Sequence, residues 1–388
     1  MMIIIVVSAE DHPMPIPRPS CALLVLSAIL SWLLGFFGLG LVGAQDAPTP
    51  IPMIPLFSGA SAAPESALPG SYRLNGIRFE HQGWNNCGPA TLTNALTFFG
   101  YRDNQQRAAA WLKPNGEDKN VSPSQMAEFV NTQVPELPVY ALVRVNGTLE
   151  LLKRLIANDF PVIIEKGYDP EPQRLGWMGH YLLMIGYDDV RQTFYTSDSY
   201  IGQNTPYTYD YIETYWKHFN YLYLVLYTAN REAELLALLG SDANLWQNHY
   251  DALQRAVQQA KANQQDAFAW FNIGSNMVAL GQYAEAAIAF DQARALGLPW
   301  RLAWYRFDHL EAYYHTGQYD VLLALVQANL NDGGGQYVEE TYYYGGLARL
   351  GKGEIDRAIS NFDAAIQFNP NFLPARQAKE VALAQRGG

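Results

Sequence analysis

After position 44 the chain has a single cysteine, Cys87, set in QGWNNCGPAT (82–91). It opens the run GPATLTNALTFFG, in which Leu92, Leu96 and Phe99 recur at helical spacing until Gly100 stops it. A thiol with a pKa of about 8.5 is a modest nucleophile at neutral pH and needs surroundings that favour the thiolate. A helix N-terminus supplies them through unpaired N–H groups and the positive end of the helix dipole. Pro89 suits the first turn because it has no N–H to leave unpaired there.

The second requirement is a base. His81, His180, His218, His249, His309 and His315 follow residue 44, and His180 has the best company. It opens HYLLMIGY (180–187), which turns at Asp188-Asp189 and returns as QTFYTSD (192–198). A hairpin centred on Asp189 pairs positions summing to 378 and sets Asp198 directly opposite His180 on one face. An acid there fixes the imidazole tautomer and supports its protonated form. A slip of one residue sends Asp198 to the other face. Asp188 and Asp189 read as turn formers. Gln82, five residues before the thiol, carries an amide able to donate to the oxyanion formed when a thiolate attacks a carbonyl, with the Cys87 N–H as second donor.

These residues need a helix to carry the thiol and a sheet to carry the base. Further helical runs are expected at 105–112, 122–132 and 148–158, and strands at 161–166, 180–187, 192–198 and 221–227. A helical lobe followed by a mostly antiparallel sheet is an α+β arrangement. The loop GYDPEPQRLGWMG (167–179), with Trp177, is either a wall of the substrate channel or an ordinary connection. His81 reads as a surface or packing residue and His218 as structural. Trp84, Asn85 and Asn86 have no assigned role.

From about residue 230 the pattern is helical and repetitive. Gly281, Gly317 and Gly353 are 36 residues apart, and Trp270, Gly274, Phe290 and Ala293 are answered 72 residues later by Tyr342, Gly346, Phe362 and Ala365. The middle copy departs, with Arg306, Leu310, Val326 and Asn329 at the corresponding places. Small residues at this spacing let paired helices approach while large ones fill the gap. Residues 246–264 read as a preceding half-unit.

A glutamine, Asn-Cys-Gly-Pro-Ala at a helix start, Gly-His-Tyr opening a strand and an aspartate on the next strand together resemble the papain-like cysteine peptidases. The closest branch is the bacteriocin-processing, double-glycine leader peptidases and their stand-alone secreted relatives. That resemblance implies a Cys-His-Asp triad: Cys87 as nucleophile, His180 as base and then acid, Asp198 as orienter, Gln82 as oxyanion donor, and no cofactor or metal. The leader peptidases proper are fused to a transporter, and nothing in this chain resembles one. The later region resembles tetratricopeptide repeats, which implies a protein partner. The expected fold is thus an α+β papain-like domain, a helical lobe plus antiparallel sheet, followed by an all-α tetratricopeptide-repeat domain. The expected divisions are 1–44, a signal peptide or membrane anchor; 45–70, a Pro/Ala/Ser-rich linker; 71–228, the peptidase domain; 229–266, a connector and half-repeat; and 267–388, the repeats.

Composition narrows the function. A net charge of −11 without any basic run argues against non-specific nucleic-acid binding. No second cysteine or paired histidine provides metal-ligand spacing. Residues 21–44 are uncharged, follow Arg18 and end in small residues, with Val42 and Ala44 before Gln45, as an export signal does. A retained membrane anchor is the alternative. Export leaves Cys87 unable to close an internal disulfide, so an unused thiol there is a liability. The expected function is an exported cysteine peptidase or amide hydrolase. An acyltransferase using the same thiol and a non-catalytic protein-binding scaffold are the competing readings.

Overall fold

The strands at the centre of the sheet read as near-continuous apolar runs because both of its faces are covered. The computed structural model describes residues 68–169 and 176–387. They begin with β1 (Ser71–Arg73), α1 (Cys87–Thr97), α2 (Gln105–Leu112), α3 (Pro123–Gln133), β2 (Val139–Arg144) and α4 (Leu149–Ala157). β3 (Val162–Tyr168), β4 (Met178–Asp188), β5 (Thr193–Asp198), β6 (Gly202–Thr208), α5 (Tyr209–Trp216) and β7 (Tyr223–Thr228) follow. One seven-stranded sheet runs β2-β7-β3-β4-β5-β6, with β1 pairing the far end of β4, and every pairing is antiparallel.

Alternation along the central strands feeds two cores. Val162, Ile164, Leu182 and Met184 pack with Leu152, Leu155 and Ile156 of α4 and Trp216 of α5. Ile163, Leu183 and Ile185 pack with Leu92 and Leu96 of α1 and Phe129 and Val130 of α3. This is the expected α+β arrangement. Three strands escaped the sequence patterns: β1, β2 and β6. The last two lie at the sheet's edges and β1 has only three residues. An edge strand buries little, so β6, GQNTPYT, can be polar and hold Pro206 without sacrificing a central ladder.

Beyond β7 the chain is helical: α6 (Glu232–Leu239), α7 (Leu245–Ala262), then the pairs α8 (Ala267–Ala279) with α9 (Tyr283–Leu296), α10 (Asp308–His315) with α11 (Tyr319–Asn331), α12 (Glu339–Gly351) with α13 (Ile355–Phe368), and α14 (Leu373–Gly387). Gly281, Gly317 and Gly353 turn the three pairs at φ +77, +70 and +77, a left-handed backbone that glycine adopts without steric cost. Gly274 and Gly346 lie flat against the rings of Phe290 and Phe362, where a Cβ would collide. In the middle pair that contact is exchanged for buried Leu310 and Val326, and α10 is cut to eight residues behind a 3-10 turn at Trp300–Trp304.

The described residues form one compact unit in which the helical region packs on the α+β region. Lys217 pairs with Asp266 at 2.6 Å, Asn220 donates to Asn276 at 2.8 Å, and Asn369 donates to the Leu112 carbonyl at 3.1 Å. Among the described residues no helix is long and apolar enough to cross a membrane. The apolar run 21–44 and the linker as far as residue 67 lie outside them.

Candidate active site

Cys87 is the first residue of α1, and no side chain caps that helix. Pro89 has no N–H, so the first-turn donors at Cys87 and Gly88 are the ones open to an anion. Polar residues on the same face as the thiol anchor the helix. Thr91, one turn on, shares a hydrogen bond with Ser199 at 3.3 Å. Asn94, two turns on, donates to the Glu80 carbonyl at 3.2 Å and accepts from the Glu80 N–H at 3.0 Å. The apolar residues Leu92 and Leu96 face the core.

His180 Nε2 and Asp198 Oδ1 are 2.9 Å apart and both side chains are buried. The register that brings them together differs from the expected one. Near the turn, Asp188 faces Thr193 and Gly186 faces Tyr195, a sum of 381. Continued to the end of β5, that register would set Asp198 against Leu183, on the α1 face. A β-bulge between Met184 and Gly186 removes one residue from the ladder, so Met184 faces Thr196 and Leu183 faces Ser197, a sum of 380. Asp198 then falls beside Leu182, on the face of His180, and reaches the ring diagonally. Parity is restored by the bulge, which no turn residue announces.

Asp198 is saturated with donors. Oδ1 also accepts from the N–H groups of Tyr200 at 2.9 Å and Ile201 at 3.1 Å, and Oδ2 accepts from the Tyr207 hydroxyl at 2.7 Å. Burial works against its charge, but His180 and these donors win and hold the carboxyl far below its usual range. For His180, burial favours the neutral ring, while the charge and hydrogen bond of Asp198 and a hydrogen bond with Cys87 raise its pKa to about 9. With Nε2 committed to Asp198, Nδ1 is the nitrogen left for the thiol. Burial pushes the Cys87 thiol up, yet His180, the Tyr181 backbone N–H and the charge of Lys113 bring it below its ordinary value. Thiol down and imidazole up is the direction of a thiolate–imidazolium pair.

Gln82 is tied to Ser199, the residue after Asp198. Its N–H donates to the Ser199 carbonyl at 2.8 Å and its Oε1 accepts from Ser199 Oγ at 3.0 Å, so its Nε2 donors are the end left open. The loop between Gln82 and Cys87 hangs on buried Gln105. Gln105 Oε1 accepts from the Gly83 N–H at 2.7 Å and Asn86 Nδ2 at 3.2 Å, and its Nε2 donates to the His81 carbonyl at 2.7 Å. Asn85 makes the tight turn at φ +54. Lys113, buried on the other side, donates to Asn86 at 3.4 Å. Asn86 thus gains a positioning role, while Trp84 stays exposed beside Glu117.

The helical region reaches the site. Tyr305 packs on Gly179, where a Cβ would lie 2.9 Å from its ring. Trp177 stacks on Phe219 with centroids 5.9 Å apart and meets Tyr305 edge-on at the same separation. Trp177 is therefore a joint between regions; residues 170–175 of its loop lie outside the described ones. His218 accepts from Trp177 Nε1 at 3.0 Å, stacks on Phe268, and is held neutral by burial at about 3. Sequence patterns missed Ser199, Tyr207, Gln105, Lys113 and Tyr305. Only Ser199, next to Asp198, had a positional clue. Among the described residues no group of three or more His, Cys, Asp or Glu is placed to hold a metal ion.

Residues 74–225 match the Peptidase_C39 like family. No curated protein matches. Among solved structures, a C39-like peptidase from Bacillus anthracis is similar at 14% identity, covering 41% of this chain and 98% of that one, with a TM-score of 0.33. MamA from Desulfovibrio magneticus RS-1 is similar at 17% identity, covering 41% of this chain and 83% of that one, with a TM-score of 0.32. A MamA double mutant is similar at 18% identity, covering 36% and 76%, with a TM-score of 0.32.

Proposed function

We propose that the protein is a cysteine peptidase or amide hydrolase in which Cys87 attacks a carbonyl, His180 transfers the proton, Asp198 orients and charges the ring, and Gln82 with the Cys87 N–H receives the oxyanion. The observation that carries this reading is the buried His180–Asp198 contact at 2.9 Å beside a thiol whose pKa is lowered by that same imidazole. The Peptidase_C39 like match over residues 74–225 supports it. Attack by the thiolate forms the C–S bond while the carbonyl π pair moves to oxygen, and collapse expels the amine, which takes its proton from imidazolium. Water, deprotonated by the now neutral ring, then releases the acid and the free thiol. The helix pairs are tetratricopeptide repeats that bind a protein partner or present a protein substrate, and residues 1–44 direct export or anchor the chain on the outer face of a membrane.

The test is labelling by a thiol-directed covalent probe together with turnover of a peptide library under reducing conditions. Labelling confined to Cys87, lost in Cys87→Ala, with cleavage abolished in His180→Ala, is the expected result. Labelling that persists in Cys87→Ala, or absence of turnover with every peptide, would sink the hydrolase.

A further inference from the structure

Between the sheet and the helix pairs lies a chamber of about 820 Å³, within the range of pockets that engulf a drug-sized ligand. Its walls come from both regions: β2 and β3 and the start of α3 on one side, the helix pairs on the other. Glu165 of β3 lines it together with Tyr305, and both lie within electrostatic range of Cys87.

The carboxyls around it outnumber the basic side chains. Glu165, Asp308, Glu311 and Glu340 line the space against Arg144 and Arg306. Arg306 is spent on Asp308, at 3.1 Å, and on Ser275 and the His218 carbonyl, while Arg144 donates to the carbonyls of Val143, Asp242 and Ala243. His249 is held towards its neutral form by burial. That leaves three carboxyls with no cationic side chain bound to them. Glu165 is 3% exposed and lies against the Tyr181 hydroxyl, with burial raising its pKa well above the carboxylate range. Glu311 is raised to about 7 by burial and by Asp308. Glu340 is 5% exposed; its Oε1 accepts from Asn120 at 3.4 Å, and its Oε2 has no hydrogen-bond partner. A buried carboxyl with no cation beside it is costly to ionise, and an arriving cation lowers that cost.

We propose that the chamber is the binding site for a basic segment of the substrate, a lysine or arginine side chain seated among Glu165, Glu311 and Glu340 while the neighbouring backbone reaches Cys87. The proposal rests on the hydrolase reading for the chemistry but not for the binding. Specificity then comes from a wall that the helix pairs complete, since Glu311 and Glu340 belong to them and Glu165 to the sheet.

The test uses the full chain carrying Cys87→Ala, so that binding is read without turnover. The probes are three fluorescein-labelled hexapeptides, identical except for lysine, Nε-acetyl-lysine or glutamate at one position, read by anisotropy. The lysine peptide is expected to bind about tenfold or more tighter than the acetylated one. Glu165→Gln and Glu311→Gln, isosteric changes in separate regions whose folding is verified by thermal melting, are each expected to shrink that ratio several-fold. Equal affinity for the three peptides, no binding of any, or a ratio unchanged in both variants would overturn the chamber. Cys87 labelling in the otherwise unaltered chain is read in parallel. A thiol with ordinary reactivity sinks the hydrolase even if lysine is preferred, and an activated thiol without lysine preference sinks only the chamber.

Discussion

Asp198 contacts His180 at 2.9 Å from a diagonal position beside Leu182, and a single bulged step in β4 keeps the two on one face of the sheet. The strength of this pairing sets the pH behaviour of the site. Asp198→Asn keeps the shape and removes the charge that raises His180 to about 9, so burial takes over and the ring loses its proton at lower pH. The alkaline limit of the thiolate–imidazolium form should move down by more than one unit, and turnover should fall about 10²-fold or more. The pH profile of Cys87 alkylation checks this; an unchanged alkaline limit would sink the assigned role of Asp198.

The same pair contributes stability with a defined window. His180 has its pKa raised from 6.5, so its contribution is complete below 6.5 and is lost as pH rises through about 9. Asp198 is depressed from 3.8, so its contribution is complete above 3.8 and is lost as pH falls through its folded value. The difference in Tm between the native chain and Asp198→Asn should therefore be largest between those ordinary values and narrow by pH 10.

Gln105→Ala leaves the Gly83 N–H, Asn86 Nδ2 and the His81 carbonyl without their partner. Part-buried groups stripped in this way cost about 1–3 kcal/mol each, less where water enters, so a loss of about 2–4 kcal/mol is expected in chemical denaturation. Cys87 alkylation should slow at the same time, because this loop carries both Gln82 and the start of α1. A variant with full stability and an unaltered thiol would show that the loop is held by other contacts.

Tyr305→Ala removes a wall contributed by the helical region while leaving Cys87, His180 and Asp198 in place. Bulky peptidyl thiol reagents should label Cys87 several-fold faster, while iodoacetamide, small enough to pass the native wall, should change little. Equal acceleration of both reagents would mean that the substitution altered the thiol itself.

Gly274→Ala places a Cβ 2.7 Å from the Phe290 ring. Overpacking of this kind costs about 1–3 kcal/mol. The loss should appear in the melting of the helical region, whereas Leu310→Ala in the middle pair destabilises by the opposite route, a cavity costing about 2–5 kcal/mol.

Much of this arrangement was legible in advance where the signal is local. The helix after Cys87 shows in the spacing of Leu92 and Leu96, and the helix pairs show in glycines 36 residues apart, because a helix face and a left-handed turn are properties of neighbouring residues. The edge strands β2 and β6 were not legible, since a strand buried on few sides carries little apolar pattern.

The sequence by itself determined which side chains were available for chemistry: one thiol at a helix start, one histidine opening a strand, one aspartate closing the next, one glutamine ahead of the thiol. Only the tertiary structure decided how they meet. The hairpin counted from its turn gave the wrong register, and the ladder was brought back into phase by a bulge at Ile185, whose cost and benefit lie in packing against α1 and α3. Ser199, Tyr207 and Gln105 hold the site from positions that local spacing does not relate to Cys87. Tyr305 arrives from more than two hundred residues away, because burial between two regions is settled by the whole surface that each presents to the other.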